Sequence, residues 1–231
     1  NWEEVKTTAQ DLTIRSGETL TRGGIALGTT ANVEHFSDII GLMMLQNGAD
    51  PAAPTSPEAE EALAFYMSFA DTLKVWDDSL PAATLAFSRG DVAMMIAPSW
   101  RVHEVKALNA NLNFEIAPVP QLPGADRITW ASYWAEGVSA QSKQKELAWK
   151  LVNYLASAEV QQKVYAAARE QRAFGPIYSR VDIAEELASQ PYVGAYIADA
   201  PYARSWYLNA YTHDNGINDR ISKYFHDAVN A

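Results

Sequence analysis

The stretch that decides the fold is "GDVAMMIAPSWRVHEVKA", residues 90–107. Residues 92–97 form a short apolar run with a turn signal on each side, Gly90-Asp91 before it and Pro98-Ser99 after it. A strand covered on both faces reads this way. The chain then presents Trp100 and Arg101 as the next element begins. In open α/β sheets ligands sit outside the carboxyl ends of the strands. A large flat side chain at that end is therefore either a core plug or one wall of a site.

Working outward, residues 82–88 predict a short helix that closes at Gly90 and feeds this strand. Residues 25–27 predict another strand, and residues 37–46 a buried helix stopped at Asn47-Gly48. The polar tip "TTANVEHFS", residues 29–37, lies between them and places Asn32, Glu34 and His35 where a strand gives way to a helix. The opening "NWEE" has the form of a capping box, followed by Trp2, Val5, Ala9 and Leu12 at helical spacing. A long helix starts after Thr55 or Ser56, with Pro57 in its first turn and Glu58, Glu60 and Glu61 favouring the N-terminal dipole. Its stripe is Ala59, Leu63, Tyr66, Ala70 and Leu73.

Residues 114–119 predict a strand ended by Pro118, Pro120 and Pro123. "ITWASYWAEGVSA", residues 128–140, alternates as a strand with aromatics on both faces. Residues 143–170 supply two helices in series, the second capped at Ser157. A short helix follows over 181–189. The last is amphipathic, with Ile217, Ile221, Phe225 and Val229 on its buried side. The chain contains no internal repeat.

The 231 residues, 48% of them hydrophobic, suffice for a real core as one large domain or two small ones. A net charge of −10 and the lack of a Lys/Arg cluster argue against a nucleic-acid partner. No window is long and apolar enough for a membrane span. With no cysteine there are no disulfides, thiolate nucleophiles or Cys-based zinc sites. The first residues carry neither an initiator Met nor a signal segment, which reads as processing or as a fragment.

No nucleotide-binding, hydrolase-elbow or zincin motif occurs, and the four histidines stand without ligand spacing, so no metal or other cofactor is expected. Most carboxylates lie in helix first turns or on solvated faces. Glu136, flanked by Trp130, Tyr133 and Trp134, is the one acid in an aromatic setting, and it reads better as a hydrogen-bond acceptor for a ligand than as a catalyst. Seven Trp and eleven Tyr are the unusual feature, several of them at element ends. Aromatic faces for sugar C–H surfaces, ringed by a few polar groups, make a chemically sensible carbohydrate site. Trp2, Trp76 and Trp149 read as core, whereas Trp100 and Trp206 stay open between core and site.

The succession "GGIALGT", "HFSDIIGLMMLQNGAD", "WDDSLPAATLAFSRGDVAMMIAPSW", "FEIAPVPQLPG" and "WASYWAEGVSAQSKQKELAWKLVNYLAS" resembles the extracellular solute-binding proteins of ABC importers, in the maltose-binding-protein-like carbohydrate family. The resemblance covers nearly the whole chain. It implies an α/β, periplasmic-binding-protein-like (type II) fold in which residues 1–133 belong to the C-terminal lobe. Residues 134–175 then form a hinge strand and N-terminal-lobe helices, and residues 176–231 a closing C-terminal-lobe segment. The family's N-terminal portion does not match anything here, so the helices of residues 143–170 are expected to lack their native sheet and to need another partner, including self-association.

The resemblance further implies a sugar or oligosaccharide ligand and permease subunits as partners. It also implies no catalysis, and a location in the periplasm or on the cell surface as a lipoprotein. By position, Trp100 matches a sugar-stacking Trp with Arg101 beside it, and Trp206 the late aromatic. Asn32, His35 and Phe36 match a loop facing the cleft. Tyr133, Trp134 and Glu136 lie on the hinge, and Asp214 supplies sugar hydrogen bonds or a helix cap. The rival readings are a binding protein for a peptide or polyamine and a glycoside-active enzyme.

Overall fold

The computed structural model describes residues 1–206 and 216–231. Helix α1, Trp2–Leu12, opens with the expected capping box: the Asn1 side chain accepts from the amides of Glu3 and Glu4 at 3.0 and 3.1 Å, and Glu4 reaches back to the Asn1 nitrogen. These contacts satisfy orphan donors of the first turn. Strands β1, Ile14–Ser16, and β2, Thr19–Ala26, pair antiparallel, and β2 pairs parallel with β3, Val92–Met95. The sheet order is β1-β2-β3. Helix α1 lies so close to β2 that a Cβ on Gly24 would fall 1.9 Å from the Ala9 carbonyl oxygen, so only glycine fits there.

Between β2 and β3 the chain forms α2, Phe36–Gln46, α3, Pro57–Asp71, and α4, Ala83–Arg89. Helix α3 is capped by Ser56, whose hydroxyl accepts from the Ala59 amide, and Pro57 fills the position that needs no donor. Helix α4 stops at Gly90, whose left-handed φ of 81° turns the chain into β3. Helix α5, Arg101–Leu108, follows β3 after a five-residue turn.

Two compact units divide the described chain. The first comprises Asn1–Asn113, Val119–Ser132 and Tyr202–Ala231, and the second Phe114–Pro118 and Tyr133–Pro201. The core of the first is a continuous cluster in which Trp2, Ile40, Met44, Tyr66, Phe69 and Trp76 are buried. Gln46 stitches it together: its carbonyl accepts from the Trp2 indole at 2.7 Å, and its amide donates to the carbonyls of Pro120 and Ile128 at 2.9 and 3.0 Å. Helix α10, Ile217–Val229, adds Ile221 and Phe225 to this core, while Ile217, expected on the buried side, is half exposed.

The second unit holds α6, Lys145–Leu155, α7, Ala158–Arg169, and the short helices α8, Val181–Ala184, and α9, Gly194–Asp199. Its buried side chains are few, chiefly Tyr165, Phe174, Leu187 and Val193, and α6 buries none.

Four expectations need correction. Residues 114–119 form no strand: Phe114 and Ile116 turn inward in alternation, but no neighbouring strand pairs with the segment, and Pro118 lacks a donor for a ladder. Of residues 128–140 only β4, Thr129–Trp130, is a strand, parallel to β5, Ala203–Arg204. Trp149, read as core, is 51% exposed, because among the described residues nothing covers the apolar side of α6. Ser157 stands at the head of α7, yet its hydroxyl donates to the Tyr154 carbonyl instead of accepting a capping bond.

Candidate binding corner at the carboxyl ends of the parallel strands

Because β2 and β3 are parallel neighbours, with Ala26 opposite Met95, the loops that leave them emerge at the same edge. That edge is the ligand side of an open α/β sheet. The loop after β2 carries Asn32 and His35, and the turn after β3 carries Trp100 and Arg101. The turn is built by its own backbone: the amide of Arg101 donates to the Pro98 carbonyl at 3.1 Å and that of His103 to the Trp100 carbonyl at 3.1 Å. Trp100 is thereby held in helical conformation just ahead of α5 with its ring 46% exposed, so it is not a core plug.

His35 heads α2 but gives no capping bond, and at 7% exposure its ring turns into the corner. It meets Trp100 edge to face, ring centroids 6.1 Å apart. Arg101 donates through Nε to His35 Nε2 at 2.9 Å and through a terminal nitrogen to the Glu104 carboxylate. A guanidinium only donates, so Nε2 is the lone-pair nitrogen and the proton sits on Nδ1, facing the Asp38 carboxylate 3.4 Å away. The Arg101 charge is matched by Glu104 within one helical turn.

Asn32 has an internal role. Its carbonyl accepts from Thr29 Oγ1 at 2.5 Å and from the Trp76 indole at 2.9 Å, and its amide donates to the carbonyls of Asp77 and Leu80. That accounts for both donors and both acceptor sites of the amide. Tyr66 donates to the Thr29 carbonyl at 2.6 Å, and Glu34 accepts from the Thr84 amide at the start of α4. The loop is thus tied down along its length, which lets it hold His35 in place.

The structure therefore brings together His35, Trp100 and Arg101. Phe36 is half buried and its ring meets His226 at 6.4 Å. Trp206, two residues beyond β5, packs partly buried against the core of the first unit. Tyr133, Trp134 and Glu136 belong to the second unit and are exposed, Trp134 at 99%. Asp214 lies outside the described residues. Sequence reading missed Glu104 and Asp38 as partners of Arg101 and His35, although the spacing of three residues from Arg101 to Glu104, and from His35 to Asp38, was there to read. Among the described residues no group of His, Asp and Glu is placed to hold a metal ion.

This architecture is the α/β, type II periplasmic-binding-protein fold. It is shared with an ABC transporter solute-binding protein of Thermotoga lettingae solved with α-D-tagatose, at a TM-score of 0.59 and 20% identity, covering 100% of this chain and 64% of that one. A maltose/maltodextrin-binding domain of Bdellovibrio bacteriovorus bound to maltotriose aligns at a TM-score of 0.64 and 14% identity, covering 99% and 61%. Residues 1–193 match the model of the bacterial extracellular solute-binding protein family, and the chain belongs to that family. Binding proteins of Brucella abortus (strain 2308) and Brucella suis biovar 1 are each 28% identical over 167 residues, which is 67% of this chain and 39% of theirs. The chain thus spans well under half the length of these relatives. Family membership implies a location outside the cytoplasm, and among the described residues no helix is long and apolar enough to cross a membrane.

Proposed function

We propose that the chain is part of the carbohydrate-binding component of an ABC sugar importer, and that a sugar ring stacks on Trp100 while Arg101 donates to its hydroxyls. The observation that carries this is the half-exposed Trp100 ring beside an anchored guanidinium, at the carboxyl edge of two parallel strands. An aromatic face takes up the apolar C–H side of a sugar, and fixed donors select its hydroxyl pattern. A neutral ligand suits the corner, because Glu104 already balances Arg101. The solved neighbours bound to tagatose, maltotriose and mannobiose support the ligand class.

In the whole protein, sugar capture shifts the population toward a closed conformation that the membrane permease recognises, with no reaction at the site. The protein works in the periplasm or at the cell surface as a lipoprotein. Calorimetric titration with maltotriose, mannobiose, D-tagatose and an oligogalacturonate tests the reading. A neutral sugar is expected to bind, the uronate to fail, and Trp100→Ala to weaken the neutral sugar on the order of tenfold to a hundredfold. Undiminished affinity in Trp100→Ala excludes this corner as the site.

A further inference from the structure

Arg101 is held at two of its three guanidinium nitrogens, by His35 at Nε and by Glu104 at one terminal nitrogen, while its other terminal nitrogen has no hydrogen-bond partner among the described residues. The Glu104 contact lies within one helix, between residues three apart. The His35 contact spans 66 residues of sequence and fixes the guanidinium to the loop after β2. His35 gives α2 no cap, so its burial is unexplained by the helix it heads.

We propose that His35 is a positioning residue: as a neutral imidazole protonated at Nδ1, it aims the open edge of Arg101 past the Trp100 ring, and ligand affinity falls when His35 takes up a second proton. The proposal rests on the reading of this corner as the sugar site. An imidazolium carries N–H groups on both nitrogens. Protonated, His35 turns a donor toward the Arg101 donor and sets two positive charges 2.9 Å apart, so the contact must open.

The charged groups around the ring are few. Asp38, on the same helix, faces Nδ1 through Oδ2 at 3.4 Å, and that N–H is present in either charge state. Glu104 is engaged with Arg101, Glu34 with the Thr84 amide, and His226 with Asp227 beside Phe36. None of them removes the clash between the two donors at Nε2.

Two conservative variants separate this role from packing. In His35→Gln the side-chain amide oxygen reaches the place of Nε2 and still accepts from Arg101, but it does not titrate. In His35→Asn the amide occupies the place of Nδ1, keeps Asp38 and leaves Arg101 Nε alone. The experiment is nitrogen-15 correlation spectroscopy of the histidine rings and the Arg101 Nε–H in the full chain across about pH 5 to 8, where histidines change charge. Maltotriose titrations run in parallel.

The expected result is an Nδ1–H tautomer and a protected Arg101 Nε–H that is lost together with maltotriose affinity, on the order of tenfold, as His35 protonates. His35→Gln keeps both at every pH, and His35→Asn loses both at every pH. An Nε2–H tautomer, or an Arg101 signal and affinity unchanged in His35→Asn, overturns the proposal. If the spectra show the clamp but none of the neutral sugars binds, the sugar reading falls and the affinity claim falls with it, while the tautomer assignment stands.

Discussion

The first unit and helix α6 of the second are made from the same kind of sequence, amphipathic helices with Leu, Trp and Tyr on one side, and they end in opposite states. In the first, α2 and α3 bury most of their apolar stripes, down to 0% exposure at Ile40, Tyr66 and Phe69, with Leu63, and Leu73 just beyond α3, partly buried. In α6, Leu147, Trp149, Leu151 and Tyr154 stand 51% to 64% exposed. Amphipathic pattern therefore announces that a face wants cover and does not say whether the chain itself supplies it. The candidate corner belongs to the unit whose faces are covered, and its loop after β2 is tied by hydrogen bonds to Tyr66, Trp76, Asp77 and Leu80.

The contrast can be broken most severely at Phe69, which packs edge to face on Phe65 at 5.3 Å. Phe69→Ala is expected to destabilise by about 3–5 kcal/mol, since a fully buried ring leaves a cavity as well as losing its transfer free energy. Urea unfolding followed by tryptophan fluorescence reads it. A loss below about 1 kcal/mol contradicts the packing described for α3.

Next in size is Gln46→Leu, expected to cost about 1–3 kcal/mol. It strips partners from the Trp2 indole and from the Pro120 and Ile128 carbonyls, which Gln46 brings together. A pH scan sharpens the comparison from another side. Burial pushes the Tyr66 hydroxyl well above its ordinary value of 10.0. The neutral form is thus favoured in the fold, so its contribution is fully present below pH 10 and is lost as the pH rises above it. Alkaline absorbance titration should show one phenol that ionises only as the first unit unfolds.

Much of this unit is legible from residue spacing. The capping box at Asn1, the Pro57 start of α3 and the Gly90 stop of α4 follow from local rules, because each depends on neighbours within a few residues, whereas those rules left Trp100 open between core and site. The corner is half legible. That Trp100 and His35 meet depends on β2 and β3 being parallel neighbours, which the resemblance implies and periodicity alone does not. Asn32 was read as facing a ligand because it lies in a polar loop tip, but its partners Trp76, Asp77 and Leu80 are more than forty residues away. Residues 114–119 look like a strand in composition, and what they lack is a partner, which no local signal reports.

The smallest effect is the most informative about α6. Leu151→Lys replaces an exposed apolar side chain by one whose stem still covers the same surface while its ammonium reaches water. If the stripe of α6 is uncovered in solution, the substitution changes stability by no more than about 0.5 kcal/mol, as surface changes do, and Leu147→Lys behaves alike. Sedimentation velocity of the unaltered chain at rising concentration, beside the Leu151→Lys variant, gives the second reading. A patch of this kind drives self-association where its area suffices, and a lysine in its middle opposes it. Should Leu151→Lys destabilise by several kcal/mol in a chain that stays monomeric, the face is covered within the chain, and the difference between the two units disappears.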